Sequence, residues 1–156
     1  MAGPATLPAL AWQEYLCVAI TPTGARAAPD QDRRSGMSAV LRLGGLPRRW
    51  RHVTGELARG FGRPERECMR LLLVAETRGW LRLSVPAPCP PLRLSACLSA
   101  LGMLSEARLA ALTPRLAGGA ILDVTALCRE LVQIAWLGEA EAGFVSRLGA
   151  LAAWRW

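Results

Sequence analysis

A proline-rich segment divides the chain and limits what can form on either side of it. Residues 86–91 read PAPCPP, with four prolines in six positions. Proline lacks the backbone N–H that helices and inner strands use, so this segment cannot be a helix and resists a place inside a sheet. We expect an extended connector over 87–91, or the turn at the tip of a β hairpin.

The sequence changes character across this connector. Residues 37–86 are rich in arginine, whereas residues 92–156 are rich in alanine and leucine and nearly balanced in charge. We predict that residues 1–36 form a separate N-terminal segment. Within it, residues 10–20 predict a strand or short helix, and the chain breakers in 21–36 predict a flexible loop. A chain of 156 residues can bury a sizeable core in one domain, or in a small domain with a helical extension.

The stretch 52–85 reads as two helices joined by a tight turn and followed by a strand. Thr54–Gly60 is the predicted shorter helix, with its first residue as a side-chain cap. Glycines on both sides of Phe61 predict a sharp reversal of the chain. Pro64–Arg78 is the predicted longer helix, since proline suits a first turn and glycine follows its last residue. Alternation over 80–85 predicts a strand.

The longer helix is amphipathic. Its predicted buried face consists of residues spaced one helical turn apart: Cys68, Leu71, Leu72 and Ala75. Its predicted exposed face lies opposite and consists of Arg66, Arg70, Leu73 and Thr77. The two arginines on that face favour contact with DNA. Leu73, together with Met69, favours contact with protein, because a groove-facing helix does not need them.

This order of elements resembles the core of winged helix-turn-helix DNA-binding domains. The recognition helix in that superfamily often ends in leucine followed by Arg-Gly-Trp-Leu or Arg-Gly-Leu-Leu, before the first strand of the wing. The matching residues here are Leu71, Leu72, Arg78, Gly79, Trp80 and Leu81. The resemblance covers residues 52–85. It implies a mainly α fold with a small β wing, in which a winged-helix-like basic domain over 37–86 precedes a C-terminal helical hairpin or bundle.

Arginine is concentrated around this motif. All nineteen basic residues are arginine, and the net charge is +7. Residues 33–82 contain twelve arginines and four acidic residues, whereas residues 84–156 contain six and five. A GC-rich genome explains much of the arginine content. The position of the excess charge over a candidate helix-turn-helix is nevertheless what a nucleic-acid footprint predicts.

We therefore predict binding to nucleic acid, with DNA favoured over RNA. The predicted major-groove residues are Arg63, Arg66 and Arg70. The predicted phosphate contacts precede the motif and are Arg48, Arg49 and Arg51. Arg82 would lie on the wing. Trp50, which stands among these arginines, either stacks against nucleic acid or anchors the segment in the core.

Four helices are predicted after the connector, over 92–104, 105–116, 124–137 and 139–156, with Ser105 and Asp123 as caps of the second and third. This region either completes a core or forms a surface for self-association or partner docking. We favour the interface. Its predicted anchors are Phe144, Leu148, Trp154 and Trp156. A homodimer or a subunit of a protein complex is the corresponding assembly.

The sequence offers few means of catalysis or metal binding. It has one histidine, three aspartates and five cysteines without a CxxC pair. We predict no enzymatic activity, no cofactor and no metal, with most of the cysteines as small buried residues in a reducing cytoplasm. No signal peptide or membrane-length apolar stretch is present, which predicts a cytoplasmic protein without a membrane partner.

Two functions follow from these patterns. The first is a winged-helix DNA-binding regulator or accessory factor. The second is a small helical structural or adaptor subunit of a larger nucleoprotein, secretion or partition complex, which docks through protein contacts.

Overall fold

The computed structural model describes residues 12–156, in which helices predominate and two small three-stranded sheets are present. The chain divides into two units. The basic unit comprises residues 13–86, and the C-terminal unit comprises residues 87–156 together with Trp12. The division falls at the proline-rich segment. Residues 13–36, predicted as a separate N-terminal segment, instead belong to the basic unit; the predicted lead before them lies outside the described residues.

The basic unit is built around a sheet whose middle strand is the first in the chain. Its elements are β1 (Cys17–Ile20), α1 (Pro22–Ala27), a 3-10 turn (Ala28–Asp30), α2 (Gly36–Leu41), β2 (Arg48–Arg49), α3 (Trp50–Phe61), α4 (Glu65–Thr77) and β3 (Leu81–Ser84). Strand β1 lies between β2 and β3 and runs antiparallel to both. Ile20 pairs with Leu81, and Cys17 pairs with Ser84.

The predicted wing is not a hairpin that follows α4. A strand is present at Leu81–Ser84, but it lies at the sheet edge and its partner is β1. The next strand along the chain, β4 (Leu92–Arg93), belongs to the other sheet. An alternating sequence reports which side chains share a face, but it does not identify the pairing strand. Arg82 therefore lies on an edge strand paired with the beginning of the unit.

The segment predicted as a flexible loop, 21–36, contains α1 and the 3-10 turn, and Thr21 explains the first of them. Its side-chain oxygen accepts a hydrogen bond from Gly24 N at 3.0 Å and caps α1. The same hydroxyl donates to Gly79 O at 2.7 Å, and the Thr21 amide donates to Trp80 O at 3.0 Å. A Cβ at Gly24 would lie 2.3 Å from Trp80 O, so this close approach of backbones requires glycine.

Helix α3 begins at Trp50, four residues before the predicted start. Trp50 is fully buried, so it anchors this segment in the core and does not stack on a ligand. Thr54, the predicted cap, is also buried, and its hydroxyl donates to Arg51 O at 3.1 Å within the helix. The helix ends at Gly62, whose φ of 62° is left-handed, as expected for the tight turn.

Helix α4 is more deeply packed than its sequence predicts. Cys68, Leu72 and Ala75 are buried as expected. Leu73, predicted to be exposed, is buried with Met69, because α4 packs against α2, α3 and β3 at once. Glu65 and Glu67 are exposed in the first turn, and a row of exposed residues runs along the helix, formed by Arg66, Arg70, Val74 and Thr77. We call these four residues the α4 stripe.

The C-terminal unit also contains a sheet with its middle strand from a distant part of the sequence. Its elements are β4 (Leu92–Arg93), α5 (Leu94–Ala100), α6 (Glu106–Leu116), β5 (Ala120–Ile121), α7 (Val124–Gln133), α8 (Glu139–Gly149) and β6 (Trp154–Arg155). Strand β6 is central, parallel to β4 and antiparallel to β5. Ser105 and Asp123 cap α6 and α7 as predicted, by accepting from Arg108 N and Ala126 N.

The last predicted helix, over 139–156, is wrong beyond Gly149. The chain turns after α8 and forms β6, where Leu92 N donates to Ala153 O at 2.9 Å. The helix over 92–104 is likewise shorter than predicted: its first two residues form β4, and it ends at Ala100, before Gly102 with its left-handed φ of 68°. The two strands were missed for one reason: β4 and β6 stabilise each other across the length of the unit, and neither signals its partner locally.

The four predicted interface anchors lie in the core of this unit. Phe144 and Leu148 are fully buried, and the two terminal tryptophans are 2% and 9% exposed. Trp154 Nε1 donates to Leu148 O at 2.9 Å, and Trp156 Nε1 donates to Thr113 Oγ1 at 2.9 Å. Burial of the indoles with their N–H groups satisfied is core packing. These side chains therefore do not form an exposed docking surface.

Candidate nucleic-acid interface

The α4 stripe presents two arginines one helical turn apart. Arg66 and Arg70 are both exposed, and the i, i+4 spacing places them on the same side of the helix. Val74 and Thr77 continue the stripe toward the end of α4. An exposed helical row of this kind can reach into a groove, and a guanidinium can donate two parallel hydrogen bonds to a phosphate or to a guanine edge.

The approach to the stripe is also basic. Arg63 is exposed in the turn between α3 and α4, and Arg59 is exposed in the last turn of α3. Neither Arg63 nor Arg66 forms an ion pair with a residue in the described part of the chain. Glu65 and Glu67, in the first turn of α4, stabilise the positive end of the helix dipole. These exposed carboxylates flank Arg66 and partly offset its positive charge.

Arg48 is held by a carboxylate. Its Nη2 lies 2.7 Å from Glu56 Oε2, and His52 Nε2 lies 3.2 Å from the other oxygen of the same carboxylate. The hydrogen bond from Arg48 lowers the pKa of Glu56 from its ordinary value, and the positive charge of Arg48 acts in the same direction. Glu56 is therefore ionised at neutral pH and offsets the charge of Arg48.

Arg49 and Arg51 share a second carboxylate. Arg49 Nη1 lies 3.9 Å from Glu14 Oε2, and Arg51 Nε forms an ion pair with Glu14 Oε1. The three predicted phosphate contacts are thus all paired within the basic unit. Their partners differ in how they could be found. Glu56 stands four residues after His52 on one helix, a spacing visible in the sequence, whereas Glu14 precedes β1 and no local pattern connects it to Arg51.

The structure thus separates the predicted site residues into two groups. Arg63, Arg66 and Arg70 occupy the turn before α4 and the stripe along it. Arg48, Arg49 and Arg51 lie on β2 and at the start of α3, near Glu14 and Glu56. Arg82 is exposed on β3 and belongs to neither group. Close to that strand, the guanidinium of Arg78 lies 4.9 Å from the ring centre of Trp80.

Charge distinguishes the two units. The basic unit contains thirteen arginines and seven acidic residues, a net charge of +6, while residues 87–156 contain six and five, a net charge of +1. Nearly all of the excess positive charge therefore belongs to the unit that carries the α4 stripe. Charge of this sign attracts polyanions and accelerates their association, an effect that salt weakens.

The described residues also bear on metal binding, thiol reactivity and membrane insertion. Over residues 12–156 there is no group of three or more His, Cys, Asp or Glu side chains placed to hold a metal ion. Burial raises the pKa of the Cys97 thiol, which makes it a protonated apolar side chain at neutral pH. Cys68 and Cys128 are also buried, as predicted, while Cys17 and Cys89 are half-buried. None of the helices in the same range is both long and apolar enough to span a bilayer.

Comparisons with protein-family models, with curated proteins and with solved structures found no match to this chain.

Proposed function

We propose that the basic unit binds nucleic acid, with duplex DNA favoured over RNA, and that the protein is a non-enzymatic DNA-binding regulator or accessory factor. The observation that carries this proposal is the α4 stripe. Two exposed arginines stand one turn apart on a helix whose opposite face is packed, in the unit that holds nearly all of the net charge.

The order of elements supports a winged-helix-like mode of binding. A helix, a left-handed glycine turn, a second helix and an edge strand follow one another as α3, Gly62, α4 and β3. Strand β1 pairs with β3 as the second strand of a wing would. Because β1 arrives from the start of the unit, no hairpin extends beyond β3, and contact with DNA would depend on the helix more than on a wing.

The alternative, an adaptor that docks through protein contacts, drew its support from Met69 and Leu73. Both are buried in the unit's own core, so neither is available to a partner. Val74 is the apolar member of the stripe, and it is 36% exposed. A single partly exposed valine one turn after Arg70 is compatible with the C5-methyl group of thymine.

The test is fluorescence anisotropy of the full chain with duplex DNA, single-stranded DNA and RNA at two salt concentrations. We expect binding to duplex DNA with a steep salt dependence. The double variant Arg66→Ala/Arg70→Ala should bind more weakly, with the slope of log K against log salt reduced by about 2 if both arginines contact phosphate. If they read bases, the variant should lose sequence preference and keep the slope.

The matched control is Arg33→Ala/Arg34→Ala, which removes the same charge from exposed positions of the same unit. Equal losses in both double variants would mean that total charge, and not the stripe, determines affinity. No binding of the wild-type chain to any nucleic acid at low salt would overturn the proposal and favour the adaptor, and a preference for RNA or single strands would overturn the choice of duplex DNA.

A further inference from the structure

The C-terminal unit contains an open cleft that the proposed function does not use. Its volume is about 760 Å³, within the range of small-molecule sites. One wall is helix α6, with Leu109 and Thr113 one turn apart, and the turn at 118–119 that follows it. The other wall is the sheet, through residues of β4, β5 and β6. All lining residues belong to this one unit.

Two arginines line the sheet side of the cleft. Arg93 on β4 and Arg155 on β6 are direct neighbours in the parallel register, so their side chains leave the sheet on the same face, with strands about 4.8 Å apart. Like charges placed side by side destabilise a sheet unless something of opposite charge lies near them. Among the residues that line the cleft in the described chain, none is acidic.

Arg93 carries a second indication. Its Nε is buried and has no hydrogen-bond partner among the described residues. A buried donor on a charged group that lacks an acceptor is costly, and such groups are rare in folded proteins. An anion bound in the cleft would offset the charges of both arginines that line it.

The neighbouring hydroxyls are already engaged, which leaves the arginines as the groups that determine the ligand. Ser95 Oγ donates to Trp156 O at 2.5 Å. Thr113 Oγ1 accepts from Trp156 Nε1 at 2.9 Å and donates to Leu109 O at 2.8 Å. Beside the arginines the cleft offers apolar surface from Leu109 and the Trp156 ring.

We propose that this cleft binds a small phosphate monoester, with the phosphate between Arg93 and Arg155 and the organic part against Leu109 and Trp156. A phosphate monoester carries a charge of about −1.5 to −2 at neutral pH, which matches two guanidiniums, whereas a carboxylate matches one. Planar guanidiniums bind phosphate oxygens in pairs. The cleft is also larger than a free phosphate ion needs, which favours an ester.

Isothermal titration calorimetry of the full chain at low salt tests this proposal. The probes are glucose 6-phosphate, AMP and phenyl phosphate, with glucose, adenosine, phenol and inorganic phosphate as comparisons. We expect at least one ester to bind with one-to-one stoichiometry and more tightly than inorganic phosphate, while the neutral compounds do not bind. Arg93→Gln and Arg155→Gln should each weaken that ester by about tenfold or more, since each removes charged hydrogen bonds.

A second kind of variant leaves both arginines in place. Ala120 pairs with Arg155 in the antiparallel register and is exposed. Ala120→Glu should place a carboxylate beside that guanidinium and weaken the ester similarly. Ala140→Glu, an exposed change on α8 outside the cleft, is the control and should bind like the wild type.

Three results would overturn the proposal. The first is that no ester binds the wild-type chain, or that inorganic phosphate binds as tightly as every ester. The second is that the arginine variants, folded by circular dichroism, bind like the wild type. The third is that Arg66→Ala/Arg70→Ala abolishes ester binding, which would place the ester on the basic unit. Loss of DNA binding in that same variant concerns the proposed function alone.

Discussion

Glu56 is the residue whose titration the structure predicts most directly. Arg48 and His52 both contact its carboxylate, and the hydrogen bond from Arg48 lowers the pKa of Glu56 below its ordinary value of 4.5. A carboxyl group with a lowered folded-state pKa contributes stability that is fully present above its unfolded pKa. That contribution is lost as pH falls through the folded pKa.

We therefore predict that Glu56→Gln destabilises the basic unit at pH 7 by at most about 1 kcal/mol, because the pair is partly exposed. The difference in unfolding free energy between variant and wild type should shrink as pH falls below 4.5 and disappear in stronger acid. Urea denaturation at a series of pH values measures it. A difference that stayed constant down to strong acid would show that the carboxylate charge is not what stabilises this site.

A substitution of Glu14 tests whether Arg49 and Arg51 take part in binding to nucleic acid. Glu14→Gln removes the negative charge that Arg49 and Arg51 share. If these arginines face nucleic acid, loss of their ion pairs with Glu14 should raise the affinity for duplex DNA. It should also steepen the slope of log K against log salt by about 1 to 2. Anisotropy at several salt concentrations measures both quantities. Unchanged affinity and slope would exclude Arg49 and Arg51 from the contact surface and leave the α4 stripe as the interface.

At the level of elements, the sequence predicts what is decided locally. Helix α4 and strand β3 lie within a residue or two of their expected bounds, because proline, glycine and the apolar period all act within a few residues. Caps at Ser105 and Asp123 were correctly placed for the same reason. The exposure of Arg66 and Arg70, and hence the centre of the candidate site, also follows from helical periodicity.

Elements that depend on a distant partner were not predictable in this way. Helix α1 replaces an expected loop because Thr21 binds the turn at Gly79 and Trp80. Strand β6 replaces the end of an expected helix because it pairs with β4. The burial of Leu73 and the pairing of Arg51 with Glu14 have the same origin, since each needs a contact that the helical period does not contain.

Strand β6 allows the core and interface interpretations of the terminal tryptophans to be separated. Trp154 is buried and its indole N–H is bonded to Leu148 O, so Trp154→Ala should destabilise the C-terminal unit by about 3–5 kcal/mol. An interface anchor would instead change the oligomeric state and leave the unit's stability intact. Denaturation monitored by circular dichroism, together with light scattering, measures both. A Trp154→Ala variant that kept the wild-type stability but changed its oligomeric mass would contradict the core assignment.

At the scale of the whole molecule, the two units differ in net charge and in exposed arginine. The basic unit combines a net charge of +6 with an exposed arginine stripe, whereas residues 87–156 carry +1 and bury their large apolar side chains. A polyanion responds to the summed charge of a surface over roughly a Debye length, which is about 10 Å at 0.1 M salt. It should therefore associate with the basic unit in preference to the other.

Hydrogen exchange of the full chain with and without duplex DNA tests this division directly. We expect added protection in peptides from the end of α3 through α4, which include Arg63, Arg66 and Arg70, and no change in α7 or α8. The protection should be lost in Arg66→Ala/Arg70→Ala and retained in Arg33→Ala/Arg34→Ala. Protection confined to α7 and α8 would mean that the less charged unit holds the nucleic acid. Charge distribution would then be a poor guide to the interface, and packing of the C-terminal unit would have to supply the contacts.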